Sequence, residues 1–174
     1  LNLALRAAAL GDWSWDAITD VVTFSQRAAD IFGIPAGPHM TWTAMQGLLH
    51  FDDRDRARHE VERAVAERAQ YDIEYRVNRA DGSQIWVAAL GRATYDSAGQ
   101  VQGMYGVVRD ISDRKSAEEA LRHSEERFRS LMEQAPFSIQ VFSPDGRTIR
   151  VNRAWEELWG VRFEQIEGYN ILED

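Results

Sequence analysis

Residues 71–78 read YDIEYRVN, and apolar and polar side chains alternate along this stretch without a break. That period of two predicts a half-buried strand. The positions on its apolar face are Tyr71, Ile73, Tyr75 and Val77. The turn signal ADGS follows at 80–83, and a second strand is predicted over 84–95. After the turn DSAG a third strand runs over 101–111, so the segment predicts three antiparallel strands.

The residues before this segment predict a hairpin and several helices. Residues 12–16 (DWSWD) alternate, and 21–24 (VVTF) return as a second strand. The helices are expected over residues 1–10, 25–33 with Ser25 as N-cap and Gly33 as C-cap, 41–49, and from Asp52 onward. The chain up to Ile111 therefore predicts an α+β domain with a five-stranded antiparallel sheet.

A charged linker helix is predicted over residues 113–134. Its apolar positions recur in steps of four and three, which is the seam of a short coiled coil: Ala117, Leu121, Phe128 and Leu131, with Ser124 as a weakening polar member. Two heptads are marginal alone, so pairing would depend on the neighbouring domains.

An internal repeat follows the linker. When the sequence is aligned with itself, Ser25 to Gly33 falls on Asn152 to Gly160, and both segments read as capped amphipathic helices. Residues 128–174 thus repeat 1–47, and nothing repeats 48–113. A hairpin and a helix cannot bury a full core, so this second unit is expected to be disordered, packed on its neighbour or completed by another chain. The parent protein is expected to continue past Asp174.

Composition excludes several functions. The chain has 174 residues, a net charge of −8 and no cysteine. Disulfides, Cys-based zinc sites and a cysteinyl-flavin adduct are therefore ruled out, and no metal site is expected. Its 20 basic residues are interleaved with 28 acidic ones, which argues against nucleic-acid binding. No apolar run reaches the length of a membrane span, so we expect no membrane contact here and a cytoplasmic location.

Three motifs in the segment 81–115 resemble the C-terminal half of a PAS domain. DGSQIW at 81–86, DSAG at 96–99 and DISDRK at 110–115 stand in the order of the family's DG turn, Trp-bearing strand, D-x-x-G turn and closing D-I-T-E-R-K. The N-terminal half is similar in GDWSWD at 11–16 and HFDDR at 50–54, although Phe51 stands where the family often has Pro.

SEERFR at 124–129 with NRA at 152–154 resembles the entry of a second PAS domain. The resemblance implies a PAS fold whose sheet cups a small pocket against short helices. It divides the chain into a complete domain at 1–112, a linker helix at 113–134 and a truncated second domain at 135–174.

The family resemblance also implies a function. Such domains precede histidine kinases, diguanylate cyclases or transcription regulators, are usually dimeric, and pass signals through the connecting helix. We expect a sensory and dimerisation module of a signalling protein, with a homodimer and the adjacent domains as partners. The alternative is a ligand-free spacer with a filled core. No catalytic residues are expected, since no nucleophile or acid–base pair is arranged for chemistry.

A ligand pocket is the first candidate site. Aromatic side chains could line it: Trp15, Phe24, Phe32, Trp42, Tyr75 and Trp86. They would suit a small apolar or aromatic ligand, although core packing is the commoner fate of such residues. His59 lies in a segment that resembles the haem-binding region of FixL-type sensors. Its neighbours at helical spacing are polar, so haem is disfavoured and the cofactor stays unidentified.

The junction between the last strand and the linker helix is the second candidate site. Any rearrangement of the sheet must pass through Asp110, Ile111 and Ser112 to reach the helix. We hypothesise that Asp110 and Ser112 hydrogen-bond across the junction and bias the register of the helix. A plain N-cap by Ser112 or Asp113 is the alternative.

Overall fold

The computed structural model describes residues 8–173, except for the side chains of residues 38 and 39. A six-stranded antiparallel sheet forms in the order β3-β2-β1-β6-β5-β4. Its strands are β1 (Gly11–Asp16), β2 (Val21–Phe24), β3 (Gly37–Thr41), β4 (Gln70–Asn78), β5 (Gln84–Tyr95) and β6 (Val101–Asp110). The strands predicted between residues 71 and 111 are β4, β5 and β6, and each pairs with its neighbour in sequence.

The expected number of strands was wrong by one. Strand β3 pairs with β2 through Thr41 opposite Val21 and Met40 opposite Val22, and a register shift follows. Pro35, Gly37 and Pro38 are residue types typical of a loop rather than of a strand. An edge strand tolerates proline because one side of its backbone makes no ladder hydrogen bonds.

Among residues 8–134, the structure describes three helices beside the sheet and one that leaves it. They are α1 (Gln26–Phe32), α2 (Trp42–Gly47), α3 (Phe51–Ala66) and the linker helix α4 (Ser112–Gln134). The helix expected over residues 1–10 falls largely outside the described residues. Within residues 8–173, none of the helices has the length and apolar character that crossing a membrane requires.

A row of four residues on the inner face of the sheet explains how the core is filled. Trp13 pairs with Gly106, Gly106 with Gly91, and Gly91 with Tyr71. A Cβ at Gly91 would lie 2.8 Å from Cζ2 of Trp13, so the indole rests directly on this glycine. Trp13 and Tyr71 meet edge to face at 6.2 Å. Two aromatic side chains thus fill the trough that two glycines create.

Helix α3 covers the outer edge of strand β4. The carboxylate of Asp53 accepts a hydrogen bond from the backbone N–H of Arg76 at 2.9 Å. The guanidinium of Arg56 donates to the carbonyl of Glu74 at 2.7 Å. Since exposed edges recruit further strands, these side chains close the edge while they anchor the helix.

The described chain divides into two compact units, with the boundary inside α4 between Ser116 and Ala117. The second unit contains the end of α4, a hairpin and a short helix: β7 (Gln140–Phe142), β8 (Thr148–Val151) and α5 (Arg153–Trp159), followed by a 3-10 turn over Phe163–Gln165. Asn152 caps the start of α5, and Gly160 ends it in the left-handed region at φ 66°.

Candidate functional site

Hydrogen bonds tie the start of helix α4 to strand β5. The Ser112 hydroxyl accepts from the backbone N–H of Trp86 at 3.0 Å and donates to the Asp110 carboxylate at 2.6 Å. The same carboxylate accepts from the Ser112 backbone N–H at 2.9 Å. Ile111 is buried and donates its N–H to the Trp86 carbonyl at 2.9 Å. Ser112 is the first residue of helix α4, and its hydroxyl contacts the neighbouring strand β5.

Arg79 connects this junction to a core helix. One of its guanidinium nitrogens lies 3.6 Å from the Asp110 carboxylate. Its Nε donates to the carbonyl of Ile31, in the last turn of α1, at 2.8 Å. The Arg79 side chain therefore connects the junction to α1.

A second set of contacts holds the first turn of α4 on the outer face of the sheet. The Glu74 carboxylate lies 2.7 Å from Nζ of Lys115 and pairs with Arg114. The Lys115 ammonium lies 5.0 Å from the centre of the Trp86 ring. Lys115 and Arg114 together hold the pKa of Glu74 below its ordinary value. We call Glu74, Arg114, Lys115 and Trp86 the first-turn clamp.

Arg76 links the first-turn clamp to helix α3, because its guanidinium contacts both the Trp86 ring and Asp53 of α3. Its guanidinium stands 5.6 Å over the Trp86 ring on one side and pairs with Asp53 at 2.8 and 3.1 Å on the other. Asp53 is 5% exposed. The Arg76 hydrogen bond lowers the pKa of Asp53 from 3.8 to about 2, against the opposing effect of burial. Asp53 lies in the first turn of α3 and also ties that helix to strand β4.

The predicted pocket residues separate into two groups. Phe24, Phe32, Trp42 and Tyr75 come together around a small space between the sheet and the helices. Residues that sequence reasoning did not select complete its lining: Trp13, Val22, Met45, Tyr71 and Val108. The space measures about 10 Å³, which is the room of roughly one water molecule. Trp13 Nε1 is buried and has no hydrogen-bond partner among the described residues.

The other two predicted residues lie elsewhere. Trp86 is on the opposite face of β5 from the buried Ile85 and Val87, because successive strand residues alternate in direction. Trp15 is half-buried, donates its indole N–H to Asp20 at 3.0 Å, and packs against Trp42 at 5.3 Å. Alternation could have identified Trp13 and excluded Trp86.

Burial raises the pKa of both Tyr71 and Tyr75 above the ordinary value of 10.

The predicted coiled-coil residues all lie on the exposed part of α4. Leu121, Phe128 and Leu131 are 62%, 50% and 68% exposed, and Ala117 is exposed as well. His59 is exposed on α3, with its Nδ1 2.7 Å from the Asp55 carbonyl.

Two family models match this chain. The model described as PAS fold covers residues 21–108, and the one described as PAS domain covers residues 126–174. The chain belongs to the PAS family. The first match contains strands β2 to β6 apart from the last residues of β6, and the second contains the end of α4 and the hairpin–helix unit.

Curated relatives of this chain include two named signalling proteins. The sensor protein FixL of Bradyrhizobium diazoefficiens is 26% identical over 170 residues, which are 98% of this chain and 34% of that protein. The probable diguanylate cyclase DgcE of Escherichia coli is 21% identical over 99% of this chain and 16% of that protein. The uncharacterised protein y4lL of Sinorhizobium fredii is 32% identical over 71% of this chain and 15% of its own length. The chain thus spans well under half the length of each of these three relatives.

Solved structures agree with this assignment. A sensory box histidine kinase/response regulator from Burkholderia thailandensis matches with a TM-score of 0.65 and 33% identity, over 75% of this chain and 98% of that one. The N-terminal domain of a diguanylate cyclase from Marinobacter aquaeolei matches with a TM-score of 0.56 and 18% identity, over 61% of this chain and 98% of that one. The chain is a sensory module of the PAS type.

Proposed function

We propose that this module passes a structural change from the sheet of its first PAS domain to helix α4 through the junction of β6 and α4. The observation that carries the proposal is the position of the Ser112 hydroxyl, which is hydrogen-bonded both to β5 and to Asp110. The Ser112 side chain thus joins the start of α4 to β5, although the strand that directly precedes α4 in sequence is β6. The parent protein is proposed to be a cytoplasmic sensor histidine kinase or diguanylate cyclase, and no catalytic step is assigned to this region.

The junction has the contacts that a relay needs. A shift of β5 would move the Trp86 N–H away from Ser112, and a shift of α1 would move Arg79 away from Asp110. Either movement breaks a contact of this part-buried junction, and the net loss of one hydrogen bond changes the free energy by about 0.5–1.5 kcal/mol. Such a difference is large enough to change the populations of two helix positions.

We also propose that α4 forms a parallel pair in a homodimer. Three large apolar side chains on its seam are at least half exposed: Leu121, Phe128 and Leu131. Charged residues flank them in pairs such as Arg122 with Glu119 and Glu126, as coiled-coil helices commonly show. Pairing would bury the apolar seam. A change in the position of the paired α4 helices would then reach the adjacent domains of the parent protein.

Cysteine cross-linking tests both proposals together, because the natural chain contains no cysteine. Single cysteines are placed along α4, at Leu121 and Phe128 on the seam and at Glu118 and Glu125 as controls. We expect disulfide-linked dimers at the seam positions at several times the yield of the controls. The profile is then measured again with Asp110→Ala, and with Asp113→Ala as a matched control at the same helix start.

The relay predicts that Asp110→Ala redistributes cross-linking among the α4 positions, whereas Asp113→Ala leaves the profile unchanged. Equal yields at seam and control positions would contradict the parallel homodimer. A profile that Asp110→Ala does not alter would contradict the relay.

A second candidate function is that of a PAS spacer without a ligand. It is favoured by the small space in the core, since about 10 Å³ does not admit a ligand larger than water. A small apolar or aromatic ligand would require Trp42 and Met45 of α2 to move outward. Native mass spectrometry separates the two cases: a mass above that of the sequence favours a ligand, and the sequence mass alone favours the spacer.

A further inference from the structure

The side chain of Asn152 lies between the end of α4, the start of α5 and the segment that precedes β7. It is 1% exposed. Its Oδ1 accepts from the backbone N–H groups of Trp155 at 3.0 Å and Ile139 at 2.8 Å. Its Nδ2 donates to the carbonyls of Met132 at 3.0 Å and Phe137 at 2.9 Å. All four hydrogen-bonding positions of the amide are therefore used.

These bonds give one side chain two capping roles. The Trp155 N–H belongs to the first turn of α5, where N–H groups have no partner within the helix. The Met132 carbonyl belongs to the last turn of α4, where it also accepts a longer hydrogen bond from the backbone N–H of Ala135 at 3.3 Å. Asn152 therefore caps the end of the linker helix and the start of the next helix at the same time.

The equivalent position of the first unit shows which of these four hydrogen bonds are found only in the second unit. Ser25 is the counterpart of Asn152 in the internal repeat, and its hydroxyl accepts from the N–H groups of Ala28 and Asp12. These are the counterparts of Trp155 and Ile139. The N-cap and the tie to the first strand are thus common to both units. The two donations to Met132 and Phe137 are added by the amide nitrogen.

We infer that Asn152 is the positioning residue through which the linker helix α4 holds the entry of the second PAS domain. The inference goes beyond the proposed function and rests on it only for the direction of signalling. A displacement of the last turn of α4 must carry Asn152 with it, and with Asn152 both α5 and β7, or else break its hydrogen bonds. Breaking the bond to Met132 is the most costly, because that bond is buried whereas the other three are part-buried.

The substitution Asn152→Ser separates the two roles. By analogy with Ser25, a serine keeps the acceptor for Trp155 and Ile139 and removes the two donors. Amide hydrogen exchange is measured on the full chain. We expect residues 131–137 to exchange about tenfold faster in N152S, the effect of losing about one net hydrogen bond, while the first turn of α5 changes less than threefold. Ser25→Ala is the control and leaves residues 131–137 unchanged.

Unaltered exchange of residues 131–137 in N152S would overturn the inference. Asn152→Ala, which removes all four bonds, is expected to accelerate both segments. If that variant unfolds the second unit, N152S still decides the question. This first arm depends only on contacts inside the second unit, so its outcome is independent of the relay.

A second arm measures transfer of a change that starts in the first domain. Asp110→Ala is made in the natural chain and in N152S, and exchange is followed over residues 113–131 and 139–155. We expect its effect on 139–155 to be at least threefold smaller in N152S. An effect of equal size in both backgrounds would overturn the inference, whereas no effect on 113–131 in either background would overturn the proposed function instead.

Discussion

Helices α1 and α5 begin and end in the same way, yet their apolar side chains meet different surroundings. Ser25 and Asn152 cap their starts, and Gly33 and Gly160 end them at φ 68° and 66°. Phe32 at the end of α1 is 1% exposed, whereas its counterpart Trp159 is 63% exposed. The capping hydrogen bonds join residues that are close in sequence, whereas the burial of each helix depends on the strands that pack against it.

The difference comes from the strands that receive α1. That helix packs on β1 and β6. Between residues 117 and 173, the described chain has only the hairpin of β7 and β8 as a sheet. The comparison teaches that capping residues specify a helix, whereas burial requires partners far away in sequence.

The largest expected effect tests this contrast directly. Phe32→Ala should destabilise the first unit by about 3–5 kcal/mol, because it leaves a cavity in a packed core. Trp159→Ala should change the stability of the second unit by less than about 1 kcal/mol, as is usual for exposed positions. Urea unfolding followed by hydrogen exchange of peptides from each unit measures both. Similar losses in the two units would contradict the comparison.

Acid should also separate the two units, because the Asp53–Arg76 pair belongs to the first. The folded-state pKa of Asp53 is about 2, below its ordinary value of 3.8. The ionised Asp53 carboxylate therefore stabilises the folded first unit by about 2 kcal/mol above pH 4. This contribution is lost as the pH falls from 4 through 2. We expect Asp53→Asn to lower stability by that amount at pH 7 and to remove this part of the acid dependence. Parallel pH profiles of the variant and the natural chain would refute this.

The smallest effect should be the same in both units. Gly33→Ala and Gly160→Ala each place a side chain in the left-handed region, which costs about 1 kcal/mol. A Cβ at Gly160 meets nothing within 4 Å, whereas one at Gly33 meets the Arg79 side chain at 3.1 Å. We expect losses of about 1 kcal/mol in each unit, slightly larger at Gly33, by urea unfolding. A loss confined to one unit would show that the caps are not equivalent.

The alternation of apolar residues predicted strand β4, and the turn signals at 80–83 and 96–99 then predicted β5 and β6. It did not reveal β3, where Pro35 and Gly37 resemble a loop and pairing with β2 decides the structure. The candidate pocket was predicted from aromatic composition without regard to direction. The position of Trp86 between the buried Ile85 and Val87 shows why that reasoning failed for one residue.

Other contacts could not be read from the sequence. Asp53 and Arg76 lie far apart along the chain, and they meet only because α3 crosses the edge of β4. The Asn152 amide reaches Met132 because the chain turns back after α4, a path that no periodicity reports. The junction was easier to anticipate, since Asp110 and Ser112 are close neighbours in sequence and bond locally.

The way α3 shields strand β4 has a consequence for behaviour at high concentration. Asp53 and Arg56 occupy the Arg76 N–H and the Glu74 carbonyl, so these two backbone groups of β4 are not available to pair with a strand from another molecule. Shortening either side chain would expose one of these groups. Slow fibrillar or amorphous aggregation, rather than loss of signalling, is the failure that such variants should show first.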